Sequence, residues 1–208
     1  YGNVKPLRAY ETGRSQSALM VVPSAGIDPI TGDEVYIKLD GSRTFEYDYR
    51  DKIIAGDMYP DVEGNINTNF TWKGLNVYLL FKYKWGGKIY NTTLASKVEG
   101  ADPRYNADRR ALYDRWQKPG DEARFRRISS TIPPRQTTRL VFDDNLFSWQ
   151  SLSVSYDLPL KYAGRIHAER LKVMLSMTDI FRLSTVEEER GTMYPFARTF
   201  TVGLNVEF

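Results

Sequence analysis

Residues 198 to 208 read R-T-F-T-V-G-L-N-V-E-F and separate by parity without exception. Phe200, Val202, Leu204, Val206 and Phe208 form one set; Thr199, Thr201, Gly203, Asn205 and Glu207 form the other. Successive side chains of an extended chain point to opposite faces, so this pattern predicts a strand with one apolar and one polar side. Four more segments follow the rule. Over Val62 to Trp72, the set Val62, Gly64, Ile66, Thr68, Phe70 and Trp72 opposes Glu63, Asn65, Asn67, Asn69 and Thr71. Over Leu75 to Trp85, Leu75, Val77, Leu79, Phe81, Tyr83 and Trp85 oppose Asn76, Tyr78, Leu80, Lys82 and Lys84. From Phe147 to Leu158, Ser151, Ser153 and Ser155 alternate with Leu152, Val154, Tyr156 and Leu158; from Leu171 to Met177 the odd positions are apolar. The second face carries Asn, Lys and Ser. Hydrocarbon on one side and a wet interior on the other account for that better than a dry core does. The longer segments match the roughly 9–11 residues with which a tilted strand crosses a bilayer.

The links between these strands alternate in length. Lys73-Gly74 is a two-residue hairpin signal. About a dozen residues around Pro159 and Gly164 join the third strand to the fourth. By contrast, the stretch from Gly86 to Leu146 is long and polar, and residues 178–197, with Glu187-Glu188-Glu189-Arg190-Gly191, separate the last two strands. Outer-membrane barrels have short periplasmic turns and longer extracellular loops. The expected organisation is therefore all-β: residues 1–59 as an extracellular loop or hairpin region, and 60–208 as five transmembrane strands with extracellular loops at about 86–146 and 178–197. The last strand then runs inward, with its C-terminus in the periplasm. Trp72, Tyr83, Trp85, Phe200 and Phe208 near strand ends fit an interfacial aromatic belt.

Composition narrows the chemistry. No cysteine is present, which removes disulfides and thiolate metal sites. A net charge of +3 gives no case for nucleic acid, because Arg124, Arg126 and Arg127 stand among Asp121, Glu122, Asp143 and Asp144. No apolar run approaches the ~18 residues of a helical span. There is no nucleophile elbow, zinc signature or phosphate-cradling glycine loop, so neither an enzyme nor a cofactor is expected. Asp28, Asp33 and Glu34 surround a Pro29/Gly32 turn whose spacing is not that of an EF-hand; turn chemistry, with Glu34 to Leu39 as one arm of a hairpin, is the expectation. His167, the single histidine, is expected as a solvated turn residue. The chain opens on Tyr1 without a leader and reads as a piece of a longer processed polypeptide. Five strands cannot close a bacterial barrel, which needs about eight or more.

The ending Y-P-F-A-R-T-F-T-V-G-L-N-V-E-F (Tyr194 to Phe208) resembles the C-terminal signature of SusC/RagA-type TonB-dependent outer-membrane transporters of Bacteroidetes. Five other stretches are similar to that family in the same order: Gly26 to Tyr36, Gly56 to Gly64, Gly86 to Asn91, Arg115 to Asp121 and Ser184 to Thr192. The resemblance implies the C-terminal segment of a large antiparallel transmembrane β-barrel of about 22 strands, a size at which the lumen is plugged. It also implies partners: the remaining barrel and plug, a SusD-like surface lipoprotein, TonB through an N-terminal region not matched here, and outer-membrane lipid. The implied cargo is an oligosaccharide or a peptide.

Candidate contact residues follow from these readings. The long loop mixes arginines with rings expected to be exposed: Arg104, Tyr105, Arg109, Tyr113, Trp116, Arg124, Phe125 and Arg126. Rings stack on sugars and guanidinium groups grip carboxylates, so these are candidates for substrate or lipoprotein contact; the alternative is a short helix over Ala107 to Trp116 whose rings pack within the loop itself. Glu63, Asn65, Asn67, Asn69, Lys82 and Lys84 are expected to face the lumen, where hydrogen bonds to the plug would satisfy them. Two other classes share part of the pattern: a non-transporting outer-membrane barrel such as an adhesin or assembly factor, and a soluble β-sandwich binding module.

Overall fold

The structure is a computed structural model that describes residues 12–102, 104–130, 132–186 and 198–208. Its strands, in chain order, are β1 (Ala18–Val21), β2 (Ser24–Ile27), β3 (Glu34–Ile37), β4 (Arg43–Thr44), β5 (Ile53–Asp57), β6 (Val62–Trp72), β7 (Leu75–Trp85), β8 (Lys88–Tyr90), β9 (Val141–Asp143), β10 (Leu146–Asp157), β11 (Arg170–Ser184) and β12 (Thr199–Glu207). Helical pieces are short: a π-helical turn at Leu94–Glu99, α1 at Arg110–Tyr113 and α2 at Leu160–Ala163. Among the described residues, no helix is long and apolar enough to cross a membrane. The chain forms two compact units, one from residues up to Tyr59 with Gly87–Asp143, the other from Pro60–Gly86 with Asp144–Phe208.

The second unit is one five-stranded sheet in the order β12-β11-β10-β7-β6, antiparallel throughout. Each strand lies beside its neighbour in the chain, as the alternating links require. Lys73 and Gly74 both take positive φ, 45° and 86°, which is the type I′ turn whose twist matches the flanking strands. The Lys73 ammonium lies over the Trp72 ring, 5.1 Å from its centroid. Register then sorts side chains by face. Ile66 pairs with Phe81 and Phe70 with Val77, while Asn65 pairs with Lys82 and Asn69 with Tyr78. On β11 and β12, Val173 meets Leu204, and Leu175 meets Val202. Val202 is 76% exposed and Leu204 65%, so this apolar face has no protein cover within the unit. An unfilled apolar face this continuous marks contact with lipid or another apolar surface.

Two expectations change in detail. The third strand was expected to alternate simply from Phe147; instead the register slips between Trp149 and Ser151, with Gln150 as the extra residue against β7. The apolar set is therefore Phe147 and Trp149 before the bulge and Leu152, Val154 and Tyr156 after it. The fourth strand was expected to end at Met177 but runs to Ser184, because Asp179, at φ 54°, lies in a second irregularity that interrupts the alternation. Above the bulges, Phe81, Phe147, Trp149 and Phe181 join ring to ring with centroids 5.5–6.1 Å apart. The Trp149 indole N–H donates to Ser151 O at 3.0 Å, satisfying a carbonyl at the bulge.

The first unit has its own core: Leu19 and Val21 of β1, Tyr90 of β8, Leu94, Ala95 and Val98 of the π-helical turn, Ala111 of α1, Phe125 and Leu140. Residues expected as two separate loops thus share one interior. β2 and β3 form the expected hairpin, with Glu34–Ile37 as one arm, and β4 adds to it. The Glu187-to-Gly191 run and residues 187–197 of the expected loop lie outside the described residues.

Candidate functional site

The polar face of the sheet reads as rows across the strands. Glu63 and Lys84 share an end row with Leu146 and Ser184; next come Asn65, Lys82, Ser148 and Arg182. Three rows follow: Asn67, Leu80, Ser151, Thr178 and Thr199; Asn69, Tyr78, Ser153, Ser176 and Thr201; Thr71, Asn76, Ser155, Met174 and Gly203. Charge returns at the far end with Asp157 and Lys172, and with Arg170 opposite Glu207. All six residues expected on the lumen side occupy this one face. Lys84 Nζ donates to the Asp144 carboxylate, with both side chains mostly buried. Arg170 and Asp157 pair at 3.0 Å.

The candidate contact residues of the first unit separate by burial. Arg104, Tyr105, Arg109, Tyr113 and Arg124 are exposed. Arg104 bonds both oxygens of Asp102 at 2.6–3.1 Å, and those bonds hold the Asp102 carboxyl down at about 2. Bonds from Arg110 likewise hold Asp108 at about 2. Tyr113 and Arg124 meet at an open cleft of about 490 Å³, lined also by Asp114, Lys118, Asp121 and Glu122. The Arg124 guanidinium lies 5.5 Å from the Phe142 ring centroid and 5.9 Å from that of Phe125. Trp116 is partly covered: its indole N–H donates to Pro29 O at 2.8 Å, and Gly32 approaches its ring so closely that a Cβ there would come within 2.4 Å.

Phe125 and Arg126 do not belong with the exposed set. Phe125 is fully buried in the core, and Arg126 is 3% exposed with its Nε 3.0 Å from Glu99 Oε1. Both hold the unit together from inside, Phe125 within the apolar core and Arg126 paired with the buried Glu99.

Around Arg126 lies a buried charge cluster that the sequence reading missed. Arg139 bridges Glu34, at 3.1 Å, and Glu99, at 2.6 and 2.7 Å; Thr137 donates to Glu34 at 2.7 Å. Burial works against the Arg139 charge, but attraction and hydrogen bonds from the two carboxylates outweigh it and push its pKa up. Arg115 donates to four carbonyls, those of Ala111, Arg126, Val98 and Glu99, at 2.7–2.9 Å. Burial, then Glu34, raises the Tyr36 hydroxyl to about 12. The acidic residues of the Gly26–Tyr36 stretch are all engaged: Asp28 accepts from Thr31 N and Oγ1, Asp33 pairs with Arg127, and Glu34 joins this cluster. His167 is an exposed turn residue at φ 57°. Partners a hundred residues apart, such as Glu34 and Arg139, leave no local signal in a sequence.

No family model matches the chain. It is 27% identical over 205 residues to TonB-dependent receptor P3 of Formosa agariphila, covering 89% of this chain and 20% of that protein. Solved structures of the RagAB peptide importer share the fold. The open-open state superposes with a TM-score of 0.70 at 20% identity, covering 92% of this chain and 22% of the other. A structure of the RagAB peptide transporter gives 0.65 at 20% identity, over 81% and 19%. The closed-closed state gives 0.64 at 20% identity, over 92% and 23%. The chain thus spans about a fifth of the length of the relatives it matches, and these relatives are receptors and transporters rather than enzymes. Strand pairing and these likenesses agree: the chain is similar to a segment of a TonB-dependent receptor and shares the fold of part of the RagAB importer.

Proposed function

We propose that this chain supplies wall and outer loops to a transporter that imports oligosaccharides or peptides under TonB control, together with a SusD-like surface lipoprotein. The observation that carries the reading is the five-stranded meander with one continuous apolar face and two open edges. In lipid, every unpaired backbone group at such an edge costs several kcal/mol in order of magnitude, so further strands must complete the wall. A barrel of about 22 strands, with a plugged lumen, is the completion implied by the family. The Lys73-Gly74 turn and the α2 turn then lie on the periplasmic side. The first unit lies outside, where exposed Arg104, Tyr105, Arg109, Tyr113 and Arg124 meet lipoprotein or cargo. Tyrosine and arginine are the residue types that dominate protein contact energies.

The test is uptake of labelled oligosaccharide and peptide by cells carrying the full-length protein, with and without TonB. Uptake of either class that disappears without TonB supports the proposal. Accumulation at the surface with no TonB-dependent entry would instead identify a non-transporting barrel.

A further inference from the structure

We infer that a cavity of about 270 Å³ in the first unit, walled by Arg115, Arg126 and Ser130, binds a small carboxylate with a short apolar body. The inference concerns the first unit alone and stands apart from the transport reading. Charge carries it. The buried network of this unit holds the carboxylates of Glu34 and Glu99 against the guanidinium groups of Arg115, Arg126 and Arg139. Arg139 pairs with both carboxylates and Arg126 with Glu99, so Arg115 has no ion pair among the described residues. Its hydrogen bonds go to the carbonyls of Ala111, Arg126, Val98 and Glu99, which satisfy donors but cancel no net charge. Burial is the largest influence on Arg115 and lowers its pKa; Glu99 opposes this, while Arg126 and Arg139 act with it. A cation removed from water needs a counter-charge. One bound monoanion supplies it.

Unused donors meet at the same cavity. Arg126 donates through Nε to Glu99 and through Nη2 to Ile132 O, which leaves Nη1 without a partner among the described residues. The Ser130 hydroxyl is buried and likewise unpartnered, and rotation about χ1 re-aims it. A buried hydroxyl left unpaired costs free energy that a bound acceptor recovers. Arg127, on the same wall, is matched by Asp33 at 3.0 Å and adds no excess charge. The remaining wall selects among anions. Ala101, Ile128, Ile132, Pro133 and Pro134 are apolar and suit a hydrocarbon body. A planar guanidinium fork matches a carboxylate in shape. Chloride has no body to fill the space, and phosphate carries more negative charge than the network lacks.

The test is equilibrium dialysis of the full-length protein in detergent against radiolabelled butyrate, with butyramide, chloride and phosphate as competitors. The expected result is saturable butyrate binding that unlabelled butyrate displaces and butyramide does not, with chloride and phosphate about tenfold weaker or worse. Ser130→Asp places a tethered carboxylate at the cavity and should abolish the binding. Ser130→Val should weaken it about tenfold, the scale of one lost hydrogen bond to a charged group, while Ser130→Thr keeps it. Four results overturn the inference. Absence of saturable butyrate binding to the unmodified protein does so, as does displacement by butyramide on a par with butyrate. Chloride or phosphate binding as tightly as butyrate does so too. The fourth is equal butyrate affinity in Ser130→Val, Ser130→Thr and Ser130→Asp.

Discussion

Removing Arg139 should strongly destabilise the first unit while leaving the sheet of the second in place. Its guanidinium touches Glu34 at 3.1 Å and Glu99 at 2.6 and 2.7 Å, and donates to Arg124 O at 2.8 Å. Both carboxylate side chains are fully buried. Among the ion-paired groups, Glu34 and Glu99 face Arg126 and Arg139; without Arg139, Glu34 loses its ion pair. Glu99 keeps Arg126 at 3.0 Å, but Glu34 keeps only the Thr137 hydroxyl among these groups. Breaking a buried pair from one side costs about 3–5 kcal/mol. Domains are stable by about 5–15 kcal/mol, so Arg139→Met removes a large part of the unit's stability. Trp116 is the one tryptophan of this unit, the other three being Trp72, Trp85 and Trp149. With those three changed to Phe, indole fluorescence in a urea titration follows the first unit alone. Adding Glu34→Gln removes the charge left unpaired, so the double variant should lose less than the two single losses summed. A shift below about 1 kcal/mol in Arg139→Met, or strict additivity, would refute the reasoning.

Three further outcomes are expected. Leu204→Arg, on the apolar face near mid-strand, should cost roughly 2–4 kcal/mol of barrel stability, while Asn205→Arg is tolerated; equal loss of heat-modifiability on gels would reverse the face assignment. Tyr36 has a folded pKa of about 12 against an ordinary 10, because burial, then Glu34, disfavours the phenolate. Its neutral form therefore stabilises the fold fully below pH 10, and that contribution fades as pH rises toward 12; Tyr36→Phe should flatten this alkaline decline in urea midpoints. Gly32→Ala places a Cβ within 2.4 Å of the Trp116 ring at φ +73°. Left-handed strain and overpacking together should destabilise the first unit by roughly 2–4 kcal/mol, visible as a changed Trp116 emission and a lower melting temperature.

How much of this was legible depends on the range of the interaction concerned. Parity of apolar residues is local, so the bounds of β6 and β7 and the Lys73-Gly74 turn could be read directly. So could the set of residues sharing a face, because cross-strand pairing preserves parity. The first unit was not legible as a unit. Its core joins Leu19 and Val21 to Leu94, Phe125 and Leu140, and nothing near either segment announces the other. Arg126 looked like one exposed cation among several for the same reason. Its burial depends on Glu99, 27 positions away, and an arginine with a carboxylate waiting is indistinguishable in sequence from one without.

The bulged strands show where a parity rule must be relaxed and why. In F-S-W-Q-S-L, the apolar residues Phe147 and Trp149 are odd and Leu152 is even. A strand without a slip would put Phe147 and Trp149 on the polar face, opposite Lys84 and Lys82. With Gln150 inserted, both rings stay with Phe81, and Trp149 closes a hydrogen bond to Ser151 O. Burying two large rings with a third outweighs the one disrupted ladder position, particularly when the indole restores a partner to the carbonyl there. On β11 the compensating irregularity at Asp179 returns Phe181 to the same ring cluster. A break in alternation flanked by aromatics of opposite parity therefore signals a bulge rather than a strand end. On β11 the signal is different: Phe181 and Leu183 keep the odd parity of Leu171 to Met177, so the strand reads through Asp179 to Ser184, the length the sheet uses.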